Sequence, residues 1–108
     1  MESTDVRILL VTAPAAAVDT LVAAVLDARL AACVNVLPGA RSLFWWDGAR
    51  DEAKESLLVL KTRAELVARA TTTLVDAHPY DVPEVLVLPV VGGHEPYLRW
   101  VREETRDA

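Results

Sequence analysis

Two extended runs that converge on Asp47-Gly48 restrict the fold of this chain more than any other feature. RSLFWW (41–46) leads into that dipeptide, and SLLVLK (56–61) returns from it after a polar stretch. Asp-Gly between extended runs is a hairpin signal, because the favoured two-residue turn needs positive φ at both central positions. Upstream, ACVNVL (32–37) also reads as a strand, and Pro38-Gly39 predicts a bulge or kink rather than an end. The second and third strands therefore form one long hairpin. Leu43, Phe44, Trp45 and Trp46 place large apolar groups on both faces of its first arm, since successive side chains in a strand alternate. An antiparallel strand with one wet face would alternate apolar with polar residues. Both faces of this arm therefore need cover.

The remaining segments supply only part of that cover. Val6–Thr12 is a branched, apolar run that reads as a buried first strand. Pro14 suits the first turn of a helix, and Val18, Leu21, Val22, Val25 and Leu26 follow helical spacing, predicting an amphipathic helix over 15–29. Thr62 and Glu65 fit a capping box that opens a second helix with Leu66, Val67, Ala70, Leu74 and Ala77 on its apolar stripe. Val85–Val91 is a fourth strand, and Pro89 within it predicts a sheet edge or a bulge. Gly92-Gly93 breaks the chain before a short final helix over Pro96–Thr105. The order β-α-β-β-α-β with a tail helix is the ferredoxin-like α+β arrangement, with two helices on one face of an antiparallel sheet. A length of 108 residues fits a single domain spanning 1–108. Two short helices cannot reach the end of so long a hairpin. A second copy of the chain can, which makes Phe44, Trp45 and Trp46 candidate interface residues.

Charge and cysteine usage exclude several function classes. The net charge of −5 opposes electrostatic binding to nucleic acid or to an anionic membrane. Cys33 is the only cysteine, so no internal disulfide can form, which fits a reducing compartment and predicts a cytoplasmic location. Glu2 and Asp5 stand where a signal peptide would carry positive charge, and no apolar run is long enough to span a bilayer.

The densest group of chemically capable residues is HPYDVPE (78–84). His78, Asp81 and Glu84 are the candidate metal ligands, since imidazole with carboxylate suits copper or zinc, although the spacing matches no established metal motif. The same residues also read as a stiff corner. Pro79 drives His78 out of the helical region, Pro83 does the same to Val82, and Tyr80 can pack while its hydroxyl finds a partner. Cys33 reads as a buried inert thiol without a basic neighbour. Glu55 and Lys61 flank the third strand and suggest a salt bridge or a subunit contact, while Asp51, Glu52 and Glu55 read as a solvated acidic rim that holds cations loosely. His94 reads as a surface loop residue, and Arg99, Trp100 and Arg102 as a small basic-aromatic interface patch. Neither GxxxxGK[ST] nor GxGxxG occurs, and no nucleophile–base pair is recognisable, so an enzyme is not expected.

TAP (12–14), ARLAACVNVLPG (28–39), SLFWWDG (42–48), ESLLVLKT (55–62), HPYDVPE (78–84) and YLRWV (97–101) together cover nearly the whole chain. In that order and spacing they resemble the CutA family of divalent-cation tolerance proteins. The resemblance implies a ferredoxin-like subunit in a tight homotrimer, similar in architecture to PII signalling proteins. It implies that the long hairpins pack on neighbouring subunits, with Phe44, Trp45, Trp46, Tyr80, Glu55 and Lys61 at the contact. It further implies a role in tolerance to copper or other divalent cations, and no enzymatic reaction. In animals the family is linked to anchoring of acetylcholinesterase. Family members with a proposed copper site can carry a cysteine before TAP and two histidines before the proline, whereas this chain has Val11 and Ala77 there and keeps only His78. A PII-like regulator with a small anionic ligand in inter-subunit clefts, and a trimeric scaffold for a protein partner, are the alternatives.

Overall fold

The computed structural model describes residues 3–106, so Glu2 of the amino-terminal reading lies outside the described residues. Four strands, β1 (Val6–Ala13), β2 (Cys33–Trp46), β3 (Ala49–Arg63) and β4 (Val85–Pro89), form one antiparallel sheet in the order β2-β3-β1-β4. The helices are α1 (Val18–Leu26), α2 (Val67–Ala77) and α3 (Glu95–Glu104), with short 3-10 turns over 15–17 and 64–66 ahead of α1 and α2. The predicted order of elements is therefore realised, and β4 with its Pro89 lies at a sheet edge. That strand stops two residues short of the expected Val91, although the Val90 N–H still donates to the Val6 carbonyl at 3.3 Å and the Val90 carbonyl accepts from the Thr4 N–H at 2.8 Å.

The hairpin is longer than its apolar runs suggested. Trp46 pairs with Ala49 across a two-residue turn in which Asp47 has φ 51° and Gly48 φ 77°, so both adopt the left-handed region that the tight turn requires. The register jumps from Leu37 opposite Leu57 to Ala40 opposite Glu55, which places a bulge at Pro38-Gly39, with Gly39 at φ 79°. Polar residues 49–55 join β3 because the turn holds them opposite β2, although their own pattern is not strand-like.

Strand alternation divides the sheet into two unlike faces. Leu9, Val11 and Ala13 of β1 and Leu58 and Leu60 of β3 point to the helices, where they meet Leu21 and Val25 of α1 and Ala70 and Leu74 of α2. Val6 has the opposite parity, and it packs with Leu98 and Val101 of α3 in a separate cluster. Thus α1 and α2 cover one face, and α3 covers the Val6 end of the other.

Two local expectations are corrected. The helix predicted over 15–29 starts as a 3-10 turn and its α-helical part ends at Leu26. Arg29 takes φ 60°, and the Leu30 N–H reaches back to the Val25 carbonyl at 2.9 Å, closing the end without a glycine. Thr62 is not a helix cap: it sits fully buried in β3, and its hydroxyl donates to the Leu30 carbonyl at 2.7 Å. Arg63 occupies the cap position instead, and its guanidinium pairs with Glu65. Thr62→Val preserves shape but orphans the Leu30 carbonyl, so we expect a loss of about 1–3 kcal/mol in urea unfolding at unchanged slope. An unaltered midpoint would mean that the hydroxyl contributes nothing to the stability of the fold.

The hairpin tip stays open. Trp45 is 76% exposed and Trp46 60%, because α1 and α2 pack over the central strands and stop well short of the turn. Among the described residues, no helix is long and apolar enough to cross a membrane.

Candidate functional site

The segment 78–84 leaves α2 as a sharp corner. His78 is extended (φ −76°, ψ 140°), as a residue before proline should be. The residue is only 8% exposed. Nε2 lies 2.8 Å from the Thr12 carbonyl, which can only accept, so Nε2 carries the proton and donates. Nδ1 accepts the backbone N–H of Tyr80 at 3.1 Å. Both ring nitrogens of the neutral imidazole are therefore engaged within the chain, and the ring packs 4.8 Å from that of Tyr80.

Asp81 and Glu84 are exposed, and they face a cleft of about 900 Å³ between the corner and the outer arm of the hairpin. The expected ligands are thus not brought together, since His78 turns towards β1 while the two acids turn towards the cleft. Among the described residues, no three His, Cys, Asp or Glu side chains are grouped so as to hold a metal ion. Phe44, Trp46 and Tyr80 supply aromatic walls, Thr12 lines the cleft from β1, and Asp51, Glu52 and Glu55 add three carboxylates from β3. The one cation in the lining, Arg41, already pairs with Glu52 at 2.6 Å.

Glu55 differs from the solvated rim residue expected. It is 7% exposed, and Oε2 accepts the Tyr80 hydroxyl at 3.1 Å. Lys61 is not its partner; the Lys61 ammonium lies 3.9 Å from Cys33 Sγ. Cross-strand pairing explains the difference, because β2 and β3 set Lys61 opposite Cys33, six residues along β3 from Glu55. Burial, and then the Glu55 carboxylate, raise the Tyr80 pKa above its usual 10.0. The stability drawn from this contact is complete below the ordinary tyrosine value and is lost as pH rises through the higher folded one.

Cys33 is half-buried rather than buried and has a basic neighbour, which corrects the inert-thiol reading. Tyr97 of α3 stands beside it, with its pKa raised by burial first and by the thiol second. Of the basic-aromatic patch, Arg102 is engaged by Glu95 at 2.8 Å and Asp5 at 3.3 Å. Arg99 is exposed and has no hydrogen-bond or ion-pair partner among the described residues, and Trp100 packs 5.6 Å from Tyr97. His94 is exposed at the amino-terminal cap of α3. Thr12 and Arg41 line the cleft but carried no signal of their own in the sequence, because β1 and the bulged arm bring them there.

The family pattern of the CutA1 divalent ion tolerance protein matches residues 7–104. A relative from Pectobacterium atrosepticum, named divalent-cation tolerance protein CutA, is 43% identical over 103 residues and 94% of each chain. The rice relative Protein CutA 1, chloroplastic, is 42% identical over 88 residues, or 82% of this chain. The matched part spans only 50% of that relative. Among solved structures, CutA from Xylella fastidiosa superposes with a TM-score of 0.92 at 36% identity, covering 95% of this chain and 100% of the other. On both sequence and fold, the chain belongs to the CutA1 divalent ion tolerance protein family.

Proposed function

We propose that the protein serves divalent-cation tolerance as a cytoplasmic homotrimer that binds its ligand rather than transforming it. The observation that supports assembly is the outer hairpin arm, where Leu43, Phe44, Trp45 and Trp46 are exposed in the single chain on both faces of β2. Neighbouring subunits cover this arm together with Tyr80 and Glu55. Lys61 joins the contact from the α3 end of the sheet. Copper or another divalent cation is held weakly at the mouth of the cleft, by Asp81 and Glu84, with His78 fixing the corner that carries them. Two exposed carboxylates form an open site, for which a dissociation constant on the order of 10⁻⁴–10⁻³ M is expected. A small anionic ligand of the PII kind is disfavoured in this cleft, whose only cation is engaged by Glu52.

Titration calorimetry with Cu(II) and with Zn(II) tests the metal reading on the wild type, His78→Ala and Asp81→Asn/Glu84→Gln. Weak binding that disappears in the double acid variant is the expected result. Tight stoichiometric binding that disappears in His78→Ala would replace it with a histidine-centred site. Light scattering tests the assembly: a trimer at micromolar concentration is expected, weakened by Trp45→Ala, and a monomeric wild type would overturn it. Cell fractionation tests the location, which rests on the single unpaired Cys33 and is set against the chloroplastic name of the rice relative.

A further inference from the structure

Cys33 is the only cysteine, so a sulfenic acid formed on it has no second thiol in the chain with which to condense. The fold sets a different nucleophile against it. Strands β2 and β3 place Lys61 directly opposite Cys33, where cross-strand Cβ atoms stand about 5 Å apart. Leu58 and Leu60 point to α1 and α2, so Lys61 and Cys33 share the other face of the sheet. The lysine side chain lies back across the pair and brings Nζ to 3.9 Å from Sγ. Among the described residues Lys61 makes no ion pair, and sulfur is the one hydrogen-bond partner of its ammonium. Lys54 is the only other lysine. It pairs with Arg41, seven residues back along β3, which strand rise places roughly 20 Å away. Both Cys33 and Lys61 are half-buried, which leaves the sulfur open to a small oxidant.

We propose that Cys33 and Lys61 form a reversible covalent S–N bridge when a hydroperoxide oxidises the thiol. In the first step sulfur attacks one peroxide oxygen and the O–O bond breaks. Cys33 becomes a sulfenic acid, and the peroxide is reduced to water. Sulfur supplies both electrons. In the second step the unprotonated amine of Lys61 attacks the same sulfur. The S–N bond forms and the S–O bond breaks. The departing hydroxide takes a proton from nitrogen and leaves as water. This condensation transfers no further electrons, as in the closure of a sulfenic acid on a backbone nitrogen. Two equivalents of a small thiol reverse it: the first cleaves the S–N bond as a mixed disulfide, and the second releases Cys33 as the thiol.

The bridge would join β2 to β3 within one chain, so it does not require the proposed trimer. It would remove the positive charge of Lys61. It would also hold the cysteine at a reducible stage, since oxidation beyond sulfenic acid is otherwise irreversible.

The test treats the whole protein, as it assembles, with hydrogen peroxide in molar excess, and maps tryptic peptides by mass without reductant. We expect peptide 30–41, which carries Cys33, to be joined to peptide 55–63, uncleaved after Lys61. The joined species should be lighter by two hydrogens than the sum of the two, and dithiothreitol should separate them. Lys61→Arg keeps the charge but offers no amine to condense, so Cys33 should reach sulfinic acid at least tenfold faster than in the wild type. Lys54→Arg should behave as the wild type. The wild-type map decides by itself, even if Lys61→Arg folds poorly. A Cys33 peptide that retains oxygen while Lys61 is still cleaved would overturn the bridge. So would a loss of two hydrogens confined to peptide 30–41, which would mean closure on a backbone amide, or a thiol that the peroxide leaves unreacted.

Discussion

His78→Ala is expected to lower the stability of the fold by about 2–4 kcal/mol, taking two net hydrogen bonds together with the cost of groups left unsatisfied. The position of the ring on β1 explains the size of the effect. Pairing between β1 and β4 ends at Val11 opposite Val85, so the Thr12 carbonyl lies just beyond the last residue that β4 can reach. The Nε2–H of His78 takes over there at 2.8 Å, and Nδ1 holds the Tyr80 N–H on the other side. Alanine removes both contacts, and the buried site gives water little room to replace them. Urea unfolding at neutral pH checks this, with the midpoint falling and the slope unchanged. Because native domains are stable by only about 5–15 kcal/mol, the loss should be unmistakable. A variant as stable as the wild type, but unable to bind copper, would mean that the imidazole serves a ligand rather than the corner.

Leu60→Ala is expected to cost more, about 3–5 kcal/mol, by transfer and cavity terms together. Leu60 is 1% exposed on the central strand β3, with Leu9 paired on one side and Val34 on the other. Neighbours fixed in two strands cannot collapse into the space it leaves, which puts it at the upper end of the range. Thermal melting of the variant beside Leu43→Ala separates core from surface. Leu43 is 50% exposed on the hairpin arm, so its truncation should leave the subunit's own stability within about 1 kcal/mol and act on assembly instead. Equal losses from the two would contradict the division between a covered core and an exposed arm.

Local chemistry made much of this architecture legible. Asp47-Gly48 could only be a tight turn, Pro38-Gly39 interrupts β2 as a bulge, and Pro79 ends α2 at His78, because each depends on backbone torsions that the residues themselves prefer. Apolar spacing located α1 and α2 for the same reason: burial of one face imposes its period on the sequence. The capping box failed at Thr62 because a buried contact with Leu30, 32 residues away, outweighs a cap worth about 1 kcal/mol.

The candidate site was legible as residues and not as an arrangement. His78 and Thr12 stand 66 positions apart, Tyr80 and Glu55 25 apart, and Lys61 and Cys33 28 apart. Nothing in the local pattern of HPYDVPE tells whether its imidazole will face a metal or a strand carbonyl. Residue preference therefore determined the turn, the bulge, the corner and the order of elements. Sheet register decided which side chains meet: it turned His78 inward, buried Glu55 beside Tyr80, and left an aromatic, acidic cleft open at the end of the hairpin. Preferences act over a few residues through torsion angles, whereas register joins distant segments through backbone hydrogen bonds.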